Sequence, residues 1–202
     1  FTRLLAAGEP GSAGRRTMRL LSALAALTLL PLFMGDVLQV FAVSHWSLTN
    51  AQVSSLFSFI AVSGVVSNLV GGTLIRTIGL RGFTALATAS TLLLWVGFST
   101  ARLKVALICA GVGFLGPART LGATTMMTSE GAKLGIPQGQ LSGDRANLVA
   151  WLKVIGPLVY GALYVRGVNV GVPQAPFILN VVLTAAALML GPIALAGGGG
   201  GG

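Results

Sequence analysis

Acidic residues, histidine and cysteine are almost missing from this sequence. Four Asp and Glu, one His and one Cys are spread over 202 residues, and metal centres and catalytic triads are built from those side chains. No phosphate-binding glycine loop, HExxH, GxSxG or paired-carboxylate arrangement occurs either. The reading is therefore not an enzyme, with no metal and no cofactor. Cys109 stands alone inside "VALICAGVGFLG", so no disulfide can be drawn and a packing role is expected. Charge is scarce overall, at 8% of residues, where a soluble domain carries about 25%.

Apolar residues fill the space. The chain is 54% hydrophobic with a mean hydropathy of +0.87, which makes an all-α, multi-pass membrane protein the expected class and the lipid bilayer its first partner. Thirteen Lys and Arg leave a formal charge of +9. They stand between apolar runs and form no basic patch, so they read as topology determinants, and nucleic acid is not expected as a partner.

Six apolar runs span about 20–43, 51–75, 82–99, 103–127, 145–165 and 173–196. Each is close to the roughly 20 residues that a bilayer core about 30 Å thick demands. Thr49 or Asn50 is placed to cap the second run. The polar "TSEGAKLGIPQGQLSGD" separates the fourth run from the fifth, and "RGVNVGVPQ" the fifth from the sixth. Residues 1–19 read as a basic cytoplasmic linker or tail, 20–196 as the membrane domain and 197–202 as a disordered poly-Gly tail. Phe1 in place of Met reads as the start of a piece of something longer. Arg15, Arg16, Arg19, Arg76, Arg81, Lys133 and Arg145 fall on one side of the runs, and Arg102, Lys104 and Arg166 on the other. That bias puts the first side, with both ends of the domain, in the cytoplasm.

Ionisable residues inside apolar spans usually face a bundle interior or a wet cavity, because they cost at least about 2.5 kcal/mol in hydrocarbon. Asp36 lies mid-run in "PLFMGDVLQVF" with Gln39 on the same face. It is a proton carrier, a structural carboxylate bonded to a neighbouring helix, or one that faces a cavity without titrating. Arg119 follows Gly116 and Pro117, which break a helix and free its carbonyls. It binds an anionic solute group, or it pairs structurally with the loop between runs four and five, its long side chain snorkelling to the near surface. Lys153 is too deep for that and needs a partner or a cavity, with Asp36 the obvious partner in charge. Asn68 shares a stripe with Gly64 and Gly72, spaced for close helix approach, so packing is its first role and solute bonding its second. Asn147 and Trp151 share one face of run five and read as pathway lining or interhelical packing. Trp46 reads as an interfacial anchor. Gly156, Pro157 and Gly161 predict a bend in run five, serving as a gating element or as a static kink. Asp144 and Arg145 fall at the mouth of that run, where charge costs little.

Between runs two and three, Gly72, Leu74, Arg76, Gly79 and Arg81 in "GGTLIRTIGLRG" resemble the cytoplasmic loop signature of the major facilitator superfamily. Arg76 stands where the first half of such transporters often has Asp, which points to the second half. "GQLSG" followed by "IGPLVYGALY" is similar to the eleventh helix of the superfamily's drug:proton antiporters, the tetracycline-efflux type included. "GVGFLGPARTLGATTM" looks like helix ten and "PQAPFILNVVLTAAALML" like helix twelve. The resemblance covers about residues 20–195. It implies six transmembrane helices as an inverted 3+3 repeat, corresponding to helices 7–12 of a major facilitator fold. It also implies a missing N-terminal six-helix half as partner, and a small organic solute moved by alternating access, with proton-coupled efflux as one form. The run "GFTALATASTLLLWVGFS" has no acid, where the tetracycline type carries one in the ninth helix. The competing expectation is a membrane scaffold or degenerate half that keeps the fold and moves nothing.

Overall fold

Apolar runs that must satisfy their own backbone in hydrocarbon form helices, and among the described residues helices are the only regular elements, joined by short turns. The structure, a computed structural model, describes residues 13–196, with side chains for 16–191. The linker expected over 1–12 and the poly-Gly tail lie outside the described residues. From residue 13 the supposed linker is already helix. In chain order the elements are α1 (Ala13–Leu29), a 3₁₀ helix (Leu30–Met34), α2 (Gly35–Ser44), α3 (Asn50–Ser99), α4 (Leu103–Val112), a second 3₁₀ helix (Gly116–Ala118), α5 (Arg119–Lys133), α6 (Gln138–Asn169) and α7 (Ala175–Ala196).

Three helical stretches, Arg16–Ser44, Asn50–Ser99 and Gln138–Asn169, are long and apolar enough to cross a membrane. A fourth is added when α4 and α5, bent by 57° at their break, are taken as one span. These properties fit an all-helical membrane protein.

The 50 residues of α3 would make a rod about 75 Å long at 1.5 Å per residue. They do not, because Gly79 has φ 75° and ψ 163°, a backbone region that essentially only glycine enters. A Cβ built on Gly71 would stand 3.1 Å from the Phe83 ring, whereas in a straight helix those residues lie about 18 Å apart along the axis. Residues 50–78 and 80–99 are therefore two antiparallel arms. The tight turn expected over the 72–81 motif is one residue wide. Arg76 and Arg81 are exposed beside it, Leu74 is half-buried, and the Cα of Gly72 faces open space. At the far end of the first arm, Thr49 supplies the expected cap: its hydroxyl accepts from the Gln52 N–H, and Gln52 Oε1 accepts from the Thr49 N–H at 2.9 Å.

The bundle has two differently built ends. At one, Phe41 meets Phe177 edge-on at 4.8 Å between ring centroids, and Trp46, Trp95 and Phe98 join the cluster. Trp46 Nε1 donates to the Ala101 carbonyl at 2.8 Å, which ties α2 to the end of the second α3 arm. The other end, beside Gly79, is aliphatic and methionine-rich. Met18, Leu29, Met127 and Leu148 form one cluster there, and Leu21, Leu24 and Met126 another.

Loops are shorter than the polar stretches suggested. The supposed linker over 128–144 is mostly helix: α5 runs to Lys133 and α6 starts at Gln138. Its turn is closed by Ile136 N–H donating to the Gly131 carbonyl, with Gly135 at φ 69°. Tertiary packing overrides local polarity here, since a Cβ on Gly131 would stand 3.0 Å from Leu141. Asp144 consequently sits inside α6 and is buried, not at an exposed mouth.

Candidate functional site

Two helix breaks meet inside the bundle. Pro31 has no N–H to donate, and the chain tightens into the 3₁₀ turn Leu30–Met34, with Phe33 off helical geometry at φ −92°, ψ 18°. Gly116 and Pro117 do the same between α4 and α5. The second break is seated on Thr91, whose hydroxyl donates to the Gly116 carbonyl at 3.1 Å as well as to Ala87 O. A Cβ on Gly116 would stand 2.9 Å from that hydroxyl oxygen, so only glycine lets the break come this close.

Between the breaks lies a cavity of about 220 Å³, lined by Pro31, Met34, Gly116, Pro117 and Arg119 with Leu38, Trp95 and Phe98. Its walls are apolar apart from the Thr91 hydroxyl, already bonded to Ala87 and Gly116, and two nitrogen-bearing side chains. Arg119, the first residue of α5, is 3% exposed. It donates to the Thr28 carbonyl at 2.8 Å, one turn before Pro31, and lies 3.5 Å from Thr184 Oγ1 on α7. Among the described residues no carboxylate pairs with it: Glu130 is bound to Lys133 at 2.7 Å, Asp36 is exposed, and the buried Asp144 lies 16 residues before Tyr160 along α6, about 24 Å away. The second is Trp95, 9% exposed, whose indole N–H is buried without a hydrogen-bond partner.

A polar network stands behind this wall. Tyr160 donates to Asn180 Oδ1, and Asn180 Nδ2 donates to Met34 Sδ at 3.1 Å. Tyr160, Asn180 and Thr184 are all fully buried. They join α6 and α7 to the Pro31 break at the depth of Arg119.

The structure separates the residues that sequence grouped by depth. Arg119 does not snorkel and does not pair with the loop after α5. It points inward and bridges α1 and α7, because the carbonyls loosened by Pro31 offer a nearer acceptor than the surface. Asp36, Gln39, Asn68, Asn147, Trp151 and Lys153 are all exposed. Asp36 and Lys153 form no ion pair, and the reason is registry. Phe33 packs at Gly156, and the Ser44 hydroxyl bonds that of Tyr164 at 2.7 Å, so α1–α2 and α6 run parallel. Asp36 lies beyond Phe33 and Lys153 before Gly156, offset by about 9 Å along the axes.

The packed small-residue face of the first α3 arm is also not the expected one. Ser67 and Gly71 are buried and Gly64 is half-buried, Gly64 facing Pro117 and Gly71 facing Phe83 and Leu121, while Asn68 and Gly72 turn outward. Gly156 earns its place by contact, since a Cβ there would stand 2.6 Å from Phe33 Cβ, but Gly161 meets nothing within 4 Å. Through Pro157 the chain stays helical from Gln138 to Asn169. The breaks flanking the cavity lie instead at Pro31 and Gly116–Pro117.

Trp95 was not legible as a site residue, for its run is apolar and an indole there reads as core. The signal that could have found Arg119's neighbourhood is the pairing of a mid-run proline in run one with Gly-Pro-Ala-Arg in run four. No family model matches the chain, and no curated protein or solved structure is similar to it.

Proposed function

We propose that this protein is a multi-pass membrane transporter that moves a small organic solute by alternating access, built as a six-helix half of the major facilitator type. The observation that carries the reading is the cavity between two broken helices, with a buried guanidinium at its wall and, among the described residues, no carboxylate paired with it. Discontinuous helices at mid-depth are a recurring way to expose backbone and side-chain donors to a solute without exposing them to lipid.

The topology supports the reading. Counting the arms of α3 separately and α4–α5 as one, the helical stretches correspond to the six apolar runs, joined by short turns. Leu80, beside the Gly79 turn, packs against Leu21, Leu24 and Met126, so the basic groups at Arg16–Arg19, Arg76–Arg81 and Lys133 gather at one end. That end is the cytoplasmic one under the positive-inside rule. Asp36 and Gln39 on α2 and Asn147, Trp151 and Lys153 on α6 are exposed, and the partner half belongs against part of that surface in this reading.

The test is flux. The full-length protein in proteoliposomes should release a preloaded radiolabelled solute faster than protein-free vesicles, saturably, and Arg119→Met should lose that release while still purifying as a folded protein. Rates equal to empty vesicles over a panel of organic anions, cations and neutral solutes would leave the scaffold reading standing. Asp36→Asn separates the mechanism: flux that still follows an imposed pH gradient removes Asp36 as the proton carrier.

A further inference from the structure

We propose that the cavity between the Pro31 and Gly116–Pro117 breaks binds a small organic monoanion, a carboxylate on a compact apolar body about the size of one ring. The proposal deepens the transport reading by naming the solute class.

Two independent features ask for an anion. Arg119 is 3% exposed and has no carboxylate partner among the described residues. Its guanidinium carries five N–H donors, and Thr28 O and Thr184 Oγ1 engage two of its nitrogens. Burying a charge without an opposite one is expensive, and a bound carboxylate supplies that opposite charge. The second feature is the Trp95 N–H, buried on the cavity wall with no acceptor. An indole can only donate, so the group that completes it must accept. A carboxylate bound against Arg119 accepts from its remaining N–H groups, and a turn of the Trp95 ring brings the indole N–H to the same ligand.

Size and wall chemistry set the rest of the ligand. An apolar cavity of about 150 Å³ takes benzene, so 220 Å³ has room for a ring and its carboxylate. Met34, Leu38 and Phe98 offer the ring hydrocarbon contacts. An amine would meet Arg119 with like charge, and a neutral alcohol would leave the guanidinium uncompensated.

The probe is radiolabelled benzoate, measured by equilibrium binding to the full-length protein in phosphatidylcholine nanodiscs, with no flux involved. Benzoate should bind saturably, and benzyl alcohol and benzylamine should fail to displace it at equal concentration. Trp95→Phe keeps an aromatic wall and removes the donor, so it should weaken benzoate about tenfold or more, in line with hydrogen bonds to charged groups, while the protein still purifies folded with a melting temperature lowered only by the trimmed ring. Arg119→Lys keeps the charge without the planar fork and should also weaken binding, by a similar factor. Displacement by benzyl alcohol as effective as by benzoate itself, or unchanged affinity in Trp95→Phe, overturns the proposal. So does loss of benzoate binding when phosphatidylglycerol is added, which would assign the site to a lipid phosphate. Binding without flux would count against transport alone, and flux of another solute class without benzoate binding would count against the anion alone.

Discussion

Arg119 and Lys153 are both basic residues placed deep in apolar runs, yet one is buried at the meeting of three helices and the other stands on the outward face of α6. The difference lies in what each helix does nearby. Breaks at Pro31 and Gly116–Pro117 leave carbonyls and space for Arg119 to turn inward. Around Lys153, α6 stays helical even though Pro157 leaves the Lys153 carbonyl without its helical donor, and the inner face is taken by Leu148, Gly156 and Tyr160. Sequence depth thus says how costly a charge is, and backbone breaks decide whether the interior can hold it.

The largest test of that contrast uses two glycines of α6. Gly156→Leu should drive α6 away from Phe33 and the Pro31 break, at a cost of about 3 kcal/mol, the upper range for overpacking. Gly161→Ala, with open space around it, should be neutral or stabilising by up to about 1 kcal/mol through helix propensity. Thermal unfolding of the two variants in the same detergent compares them; equal melting temperatures would mean that the inward face is wrongly assigned. Next in size is Gly79→Ala, which forces a Cβ into a glycine-only backbone region and should cost about 1–3 kcal/mol. Cross-linking of cysteines placed at positions 71 and 83 reads whether the hairpin survives.

Tyr160→Phe sharpens the comparison from the buried side. It deprives Asn180 Oδ1 of its donor and should destabilise by about 1–3 kcal/mol, the penalty for a buried unsatisfied group. The smallest effects belong to the outward set. Asp36→Asn and Lys153→Met should each change stability by less than about 0.5 kcal/mol, as surface substitutions do, and the double variant should be additive, because the two residues do not pair.

Much of the fold was legible because apolar run length and glycine-proline punctuation report directly on helices in hydrocarbon. The turn at Gly79, the cap at Thr49 and the break before Arg119 were each readable from local chemistry. Faces were not. The first α3 arm is apolar nearly all round, so nothing in its periodicity distinguishes the Gly64–Ser67–Gly71 side from the Gly64–Asn68–Gly72 side. The 128–144 stretch hid its helices for the opposite reason: its residues are polar, and only packing such as Gly131 on Leu141 holds them helical. Of the site, Arg119 was visible as a charge, but the vacant donor on Trp95 exists only after three helices have closed around it.

The most direct measurement sets the two regions against each other under one ligand: benzoate affinity of Trp95→Phe and of Lys153→Met, beside the unaltered protein. A buried working site predicts weakening of about tenfold in Trp95→Phe and no change in Lys153→Met. Loss of binding in Lys153→Met with Trp95→Phe unaffected would move the solute to the outward face and contradict the assignment of the cavity.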